Sequence, residues 1–312
     1  MRNAFADEIT SLAGENEKIV MLPADIGNKL FDKFKSKFPG RFYNCGVAEA
    51  NTISMAAGMA LSGLRPVAYT ITPFITTRCF EQIRVDLCYN NVPVIIVGVG
   101  AGYGYSQLGA THHSCEDIAI LRVLPNMTVI CPGDAFEVRA ALRAALNHNG
   151  PVYIRLGKKG EPSVHKEVPD FKIGKAIVLS KGTDVCLLST GNMLPASAEV
   201  AESLHKNGIS AQLVSFHTVK PLDKELLADA FKKFSIVATI EEHSLLGGFG
   251  GSVAEWLADN PEQKARLIRF GTKDEFLHKV GEQEYAREQS GLDSPSIAEK
   301  ILKLYNEKIK QD

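Results

Sequence analysis

Short runs rich in Val, Ile and other apolar residues alternate with helix-length segments, and this alternation occurs twice along the chain. The first series has predicted strands at 18–23, 66–71, 93–99, 128–132 and 151–156, and predicted helices at 3–12, 51–62, 78–90 and 134–147. The second has strands at 184–190, 211–216, 235–242 and 266–270, and helices at 193–207, 223–233, 250–259 and 294–309. Such alternation is typical of a mostly parallel sheet flanked by helices, so the sequence predicts an α/β fold with two α/β domains.

A segment rich in Lys, Gly and Pro separates the two series and has no sustained apolar period. We therefore predict a first domain at 1–160, a linker at 161–178 and a smaller second domain at 179–312. A chain of 312 residues that is 45% hydrophobic can bury two ordinary cores.

The charge balance and the cysteines exclude several classes of protein. Lys and Arg number 35 against 36 Asp and Glu, so no overall field would attract nucleic acid or an anionic membrane. The N-terminal stretch lacks the apolar segment of a signal peptide, and no run reaches the ~20 apolar residues of a membrane span. The six cysteines occur singly, which favours reduced, packed thiols over disulfides or zinc. We expect a cytoplasmic protein.

Glu49 stands at the head of an apolar helix, in the stretch "GVAEANTISMAAGMAL". A carboxylate in such surroundings costs several kcal/mol of free energy unless another group pairs with it. Either this chain or another molecule must therefore supply a partner for Glu49.

Ligand sites in open parallel sheets form at loops that leave the carboxyl ends of strands. Here those loops hold Asp25, Phe74, the segment 100–113, Lys158 and the segment 241–243. Segment 100–113, "GAGYGYSQLGATHH", has four glycines but lacks the pattern of a P-loop. It ends in His112 and His113, for which capping or surface polarity competes with a chemical role. The helix that follows starts with Glu116 and Asp117. Their negative charge lies at the positive end of the helix dipole and stabilises the helix.

Motifs of other enzyme classes are missing from the sequence. There is no G-x-S-x-G elbow, which disfavours a hydrolase, and no H-E-x-x-H or paired-carboxylate spacing for a metal. The stretch "EEHSLLGGFGGSVAEWL" at 241–257 is best interpreted as a tight strand-to-helix connection.

Several motifs then stand in one order over nearly the whole chain: "LPADIG", "GVAEAN", "TPFITTRCFEQIR", "GATHHSCEDIAILRVLPNMTVICPGD", "FHTVKPLD" and "EEHSLLGGFGGSVAEWL". Together they resemble the carboxyl-terminal half of a transketolase, a pyrimidine-binding domain followed by the C-terminal domain. The wider superfamily, which includes 1-deoxyxylulose-5-phosphate synthase and the beta subunits of 2-oxo-acid dehydrogenases, shares this layout.

The resemblance implies catalytic roles for Glu49 and His112. Glu49 matches the family glutamate that hydrogen-bonds the aminopyrimidine ring of thiamine diphosphate and helps to activate the cofactor. Its implied partner is thus a cofactor nitrogen rather than a lysine or arginine of this chain. Phe74 matches the aromatic residue that stacks on the pyrimidine. His112 matches the histidine that reaches the substrate and the cofactor, where it can stabilise an oxyanion or move a proton.

Other matched positions imply binding roles. Asp25 matches an acidic residue near the reacting centre and joins the cofactor-binding set, although a purely structural role explains it equally well. Arg78 and Gln82 fit a helix start behind the cofactor contacts. The cationic residues Arg2, Lys29 and Lys158 match positions that bind the anionic end of the substrate.

The chain lacks the G-D-G…N segment with which transketolases bind the diphosphate and its metal. The resemblance therefore implies a split transketolase, whose N-terminal subunit is a separate chain that mainly holds the diphosphate and a magnesium or calcium ion. No metal ligand is assigned to this chain. The active form implied is a heterotetramer with two copies of each chain.

Two departures from the family pattern affect the predicted substrate. Gly100 and Leu108 stand where phosphate-sugar transketolases have a histidine and an aspartate, while Tyr103 and Tyr105 could reshape the pocket or only pack the loop. The implied reaction moves a two-carbon ketol unit from a ketose with an anionic terminal group, phosphate, sulfonate or carboxylate, to an aldose or aldehyde. One alternative is a synthase-like or dehydrogenase-like subunit acting on a 2-oxo acid. Another is a regulatory partner without catalysis.

Overall fold

The structure is a computed structural model that describes residues 1–27, 29–158, 160–263 and 265–309. Within these ranges, no helix has the length and apolar composition that crossing a lipid bilayer requires. All six cysteines are free thiols, as their isolated positions predict.

The described strands form two sheets, which confirms the predicted fold class. The strands are β1 (Ile19–Pro23), β2 (Arg65–Ile71), β3 (Ile95–Val99), β4 (Thr128–Ile130), β5 (Val152–Leu156), β6 (Ile177–Ser180), β7 (Val185–Ser189), β8 (Ala211–Ser215), β9 (Thr218–Lys220), β10 (Ile236–Ser244) and β11 (Arg266–Thr272). The first sheet has the order β1-β2-β3-β5-β4-β9 and the second the order β11-β10-β7-β8-β6. Strand pairs are parallel except β4 with β9 and β6 with β8.

α-Helices occupy seven of the eight segments predicted as helices, and further short helices lie between them. The α-helices are α1 (Arg2–Glu15), α2 (Asp32–Lys37), α3 (Glu49–Leu61), α4 (Thr72–Ile75), α5 (Phe80–Gln82), α6 (Asp117–Arg122), α7 (Ala135–Leu146), α8 (Leu194–Lys206), α9 (Lys224–Lys233), α10 (Phe249–Ala258), α11 (Gln283–Ser290) and α12 (Ser294–Ile309).

The segment predicted as a helix at 78–90 is helical over residues 80–89, but it is not a single α-helix. The short α5 is followed by a π-helix at Ile83–Tyr89. Its buried residues Ile83, Leu87 and Cys88 are spaced by four and by one, which fits an α turn and the wider π turn equally well. The apolar pattern alone could not distinguish the two.

The apolar core is continuous between the two sheets. One cluster of buried side chains combines Ile96 and Cys131 of the first sheet region with Leu188, Val214 and Phe249 of the second. A second cluster lies on the other face of the first sheet, under α1 and α7, and a third lies under α8 and α12. The ends of β3, β5 and β10 therefore have fixed relative positions.

Strand β9 belongs to the first sheet although its sequence lies within the predicted second domain. It pairs with β4 in antiparallel register, with Ile130 opposite Thr218. Just before it, the His217 carbonyl accepts a hydrogen bond from the Cys131 amide at 2.7 Å. The two halves of the chain thus share a sheet, and the domain boundaries remain a prediction.

The predicted linker is held against the first sheet. Asp134 caps α7 by accepting from the Phe136 and Glu137 amides, and its second oxygen accepts from the Val164 and His165 amides at 2.9 and 2.8 Å. One aspartate therefore ties the start of a helix to the connecting segment.

His217 provides a pH-dependent contribution to stability. Its fully buried ring stacks on Phe171 with the centroids 3.8 Å apart, and burial lowers its pKa to about 3. A histidine with a lowered folded-state pKa favours the unfolded state as pH falls below ~6.5, by about 1.4 kcal/mol per pH unit. We therefore expect His217→Phe, which keeps the stacking, to flatten the loss of unfolding free energy between pH 6.5 and 4.5. Urea unfolding of both proteins across this range measures the difference, and parallel curves would contradict the prediction.

Candidate active site

Glu49 is the first residue of α3 and is only 7% exposed. Its position in the first turn places negative charge at the positive end of the helix dipole. The sequence prediction of a nearly buried carboxylate at the head of an apolar helix is confirmed.

Arg78 is a partner of Glu49 within the same chain. Its Nη1 lies 3.3 Å from Glu49 Oε1, so the prediction that no arginine of this chain pairs with Glu49 is wrong. The Arg78 guanidinium also lies over the ring of Phe74, 3.9 Å from its centroid. The Arg78 side chain remains 49% exposed, so the pair opens to solvent on one side.

His112 lies beside Phe74 at the end of the glycine-rich loop. The two rings are in edge contact, with centroids 5.1 Å apart, and His112 Nδ1 lies 2.9 Å from the Thr111 hydroxyl. Partial burial lowers the pKa of His112, and the positive charge of Arg78 acts in the same direction. His112 is therefore mainly neutral near pH 7 and can accept a proton. The adjacent His113 is buried, with Nε2 3.2 Å from the Ser106 carbonyl, so surface polarity does not explain it.

Tyr105 connects His112 with the predicted cationic residues. Its ring lies 6.3 Å from the His112 ring and 5.3 Å from Lys158 Nζ. Burial raises the pKa of Tyr105, and the nearby charge of Arg2 opposes that rise. Gly100 has a φ of +86°, and a Cβ at this position would overlap the Tyr105 ring. The glycine therefore creates the space that Tyr105 fills.

Among the described residues, the side chains of Asp25, Lys29 and Gln82 form no hydrogen bond or ion pair with this cluster. Asp25 is exposed just after β1, in a left-handed conformation, and its amide donates to Asn44 Oδ1 at 3.0 Å. Lys29 is exposed, and Gln82 is partly buried at the end of α5. Across the described ranges, no hydrogen bond or ion pair links these three side chains to His112. Their roles remain predictions.

A buried ion pair behind the loop was not identified from the sequence. Arg155 and Asp117 are each 1% exposed and lie 2.7 Å apart, and the Tyr153 hydroxyl donates to Asp117 at 2.6 Å. Arg155 also donates to the carbonyls of Ser114 and Glu242. The sequence signal was an arginine inside the apolar strand "PVYIRL", where a cation requires a buried partner.

The described residues contain no group of three or more His, Cys, Asp or Glu side chains arranged to hold a metal ion. The cluster of Glu49, Arg78, Phe74 and His112 instead offers a carboxylate, an aromatic face and a neutral imidazole on one surface. Such a set can hydrogen-bond and stack on a flat nitrogenous ring and can move a proton beside it.

Comparisons with known proteins agree with this arrangement. Residues 1–161 match the family model for the transketolase pyrimidine-binding domain, and residues 174–297 match that for the transketolase C-terminal domain. A solved structure described as "Split gene transketolase, inactive beta4 tetramer" superposes with a TM-score of 0.87 at 37% identity, covering 98% of this chain and 97% of that one.

Two curated relatives show the range of the similarity. A 6-deoxy-6-sulfo-D-fructose transketolase subunit from a Clostridium species is 37% identical, covering 95% of this chain and 92% of that protein. The 1-deoxy-D-xylulose-5-phosphate synthase 1 of Geobacter sulfurreducens is 35% identical over 94% of this chain, which spans only 46% of that protein. The chain therefore belongs to the transketolase family and has the domain order of a transketolase-type C-terminal subunit, a pyrimidine-binding domain followed by a C-terminal domain.

Proposed function

We propose that this chain is the C-terminal subunit of a thiamine-diphosphate-dependent transketolase. The reaction moves a two-carbon ketol unit from a ketose with an anionic terminal group to an aldose or aldehyde acceptor. The observation that carries the proposal is the contact of Phe74 with both Arg78 and His112, beside the buried carboxylate of Glu49. Lys158 Nζ lies 5.3 Å from the centroid of the Tyr105 ring, and the positive charge of Arg2 also acts on Tyr105.

The residues present fit the aminopyrimidine end of thiamine diphosphate. The guanidinium of Arg78 is a flat group with N–H donors, and it stacks on Phe74 while facing Glu49. It therefore acts as a stand-in for a planar ring that would make the same two contacts. The described residues offer no comparable set of ligands for a metal, so we assign the diphosphate and a magnesium or calcium ion mainly to a partner subunit.

Each residue of the cluster has a distinct role in this proposal. The cofactor supplies a carbon that can become a nucleophile and can stabilise negative charge on the transferred unit. Glu49 holds a proton at the ring nitrogen, and Phe74 orients the ring against it. His112, being neutral, accepts a proton from a substrate hydroxyl or donates a hydrogen bond to a developing oxyanion. Arg2 and Lys158 bind the anionic end of the ketose, and we add Lys29 to this set and Asp25 to the cofactor contacts as predictions.

The partner in this proposal is an N-terminal transketolase subunit that carries the G-D-G…N segment, in a heterotetramer with two copies of each chain. The similarity to a split-gene transketolase chain over nearly its whole length supports this arrangement. That related structure is described as an inactive tetramer of one chain type, which suggests testing this chain alone and with its partner.

Reconstitution tests the proposed function. The purified chain is mixed with the candidate N-terminal subunit, thiamine diphosphate and magnesium, and ketol transfer from phosphorylated and sulfonated ketoses is measured. We expect transfer with both subunits present and none with either subunit alone. A reconstituted complex that binds the cofactor but transfers no ketol unit from any of these donors would overturn the proposal.

The similarity to a 1-deoxy-D-xylulose-5-phosphate synthase supports a second candidate, in which the donor is a 2-oxo acid. Release of carbon dioxide from pyruvate by the same reconstituted pair, without ketol transfer, would favour it. The third candidate is a regulatory subunit without catalysis. Calorimetry that detects no cofactor binding, even with the partner subunit present, would support this candidate.

Arg2 provides a test of the substrate class. Loss of a hydrogen bond to a charged group costs about 1.5–3 kcal/mol, which is roughly a 10- to 100-fold change in binding. We therefore expect Arg2→Met to raise the KM of an anionic ketose donor by about this factor. The kcat should remain near the wild-type value, because Arg2 contacts the terminal group and not the reacting carbons.

An uncharged four-carbon ketose serves as the control substrate, because it has no anionic end for Arg2 to bind. Its KM should change little in the Arg2→Met enzyme. An equal rise in KM for both donors would show that Arg2 stabilises the loop and does not bind the anionic group.

A further inference from the structure

The loop that carries His112 is closed at its base by its own backbone. The Gly102 amide donates to the Ser114 carbonyl at 3.0 Å, and the Ser114 amide donates back to Gly102 at 2.9 Å. Between these points His112 depends on a turn in which its amide donates to the Gly109 carbonyl. The position of His112 therefore follows the position of the whole loop.

Glu242, at the end of β10, reaches into the base of this loop. Its side chain is fully buried, and Oε1 accepts a hydrogen bond from the Tyr103 amide at 2.7 Å. Gly102 has a φ of +58°, and a Cβ at this residue would lie only 2.6 Å from the Glu242 carbonyl oxygen. The loop and the second sheet thus approach so closely that position 102 accepts only glycine.

Donors from the C-terminal domain fix the Glu242 carboxylate. Asn192 Nδ2 lies 3.0 Å and Gln283 Nε2 2.8 Å from Oε1, and Arg287 Nε donates to Oε2. Gln283 and Arg287 lie on α11, a helix that the sequence did not predict. A buried carboxylate with this many donors is held in one orientation.

The same region of the C-terminal domain contacts the middle of the loop. The Ser106 hydroxyl donates to the Gly281 carbonyl at 2.6 Å, and the Tyr103 hydroxyl lies 3.1 Å from Ser290 Oγ. Tyr103 in turn packs edge-on against His113, the neighbour of His112. The loop is therefore held at its base and along its length by residues that belong to no part of the proposed cofactor or substrate site.

We propose that Glu242, fixed by Arg287 and Gln283, is a positioning residue that holds the 100–114 loop so that His112 faces the reacting centre. This gives the C-terminal domain a specific task within the catalytic unit. The catalytic consequence rests on the proposed function of His112. The restraint of the loop by Glu242, Gln283 and Arg287, which we call the clamp, does not.

The chain contains a matched control for Glu242. The adjacent Glu241 is equally buried and also accepts backbone hydrogen bonds, from Phe249 and Gly250 at the start of α10. Its carboxylate forms no hydrogen bond or ion pair with the described residues of the 100–114 loop. A Glu-to-Gln change at 241 therefore alters a buried carboxylate beside the clamp without touching the clamp.

Amide hydrogen exchange of the full chain tests the clamp without requiring any activity. We expect Glu242→Gln to accelerate exchange in the 100–114 loop by about tenfold, because an opening equilibrium responds directly to lost local contacts. Glu241→Gln should accelerate exchange near residues 249–250 and leave the loop unchanged. Gln283→Ala, which removes one donor and no charge, should show a weaker effect in the same direction if Glu242→Gln fails to fold.

Kinetics of the reconstituted pair test the consequence for His112. In Glu242→Gln we expect kcat to fall about tenfold or more, since small displacements of catalytic groups are costly, while the cofactor Kd stays unchanged. Arg287→Lys, which keeps the charge, should recover part of the rate lost in Arg287→Met. If amide exchange in the 100–114 loop of Glu242→Gln is as slow as in the wild type, the proposal is overturned. If Glu242→Gln accelerates loop exchange as expected but the wild-type pair transfers no ketol unit, only the proposed function is contradicted.

Discussion

Replacing Glu49 by Gln should lower the kcat of the reconstituted enzyme by about 10²- to 10⁴-fold, the range usual for loss of an acid–base group. Gln keeps the size of the side chain at the start of α3. It cannot hold a proton at the cofactor ring as a carboxylate does, and it loses the ion pair with Arg78. Steady-state transfer rates measure the first effect, and calorimetry with thiamine diphosphate measures the accompanying loss of affinity.

Glu8 supplies the matched control for this experiment. It is also a buried glutamate, 5% exposed, and it pairs with Arg139 and Arg143 across the contact between α1 and α7. Glu8→Gln should reduce stability and leave kcat within about twofold, because breaking a buried salt-bridge network away from the site acts on folding and not on the reaction. A Glu49→Gln enzyme with normal kcat and normal cofactor affinity would rule out the proposed role of Glu49.

Replacing Arg155 by Met should destabilise the chain by about 3–5 kcal/mol, since it leaves the Asp117 carboxylate buried without its cation. Burial alone would raise the pKa of Asp117, but the Arg155 charge and hydrogen bonds hold it below its usual value. The same substitution also removes the hydrogen bonds that Arg155 donates to the Ser114 and Glu242 carbonyls. Urea unfolding at pH 7 measures the free energy directly.

A second arginine tests whether burial of the ion pair causes the large loss of stability expected for Arg155→Met. Arg122 pairs with Glu255, whose side chain is 64% exposed, so Arg122→Met should cost about 1 kcal/mol or less. The double variant Asp117→Asn with Arg155→Met should be more stable than Arg155→Met alone, because it removes the unpaired charge. If Arg155→Met lowers the free energy of unfolding by less than Arg122→Met does, burial is not the cause.

The regular part of the fold could be predicted because its signals are local. Buried parallel strands such as β3 and β7 appear as short apolar runs, and long helices such as α8 and α12 show a sustained amphipathic period. Glu49 was identifiable for the same reason, since a carboxylate in an apolar helix conflicts with its neighbours in the sequence.

The remaining elements depend on contacts between distant residues. Strands β6 and β9 have only four and three residues, and their pairing partners, not their own sequence, make them strands. The polar helix α11 is stabilised by its contacts with Glu242 and the loop. The Arg78–Glu49 pair joins residues 29 positions apart, and nothing in the local sequence of either one indicates it.

The antiparallel strand β9 also protects an edge. Without it, the short strand β4 would present unpaired N–H and C=O groups at the border of the first sheet, which is a template for pairing with another chain. A shortened protein that ends near residue 160 would lack β9 and expose that border. Expression of the pyrimidine-binding half alone should therefore favour self-association and precipitation, whereas a fragment continued through Lys220 would keep the border covered.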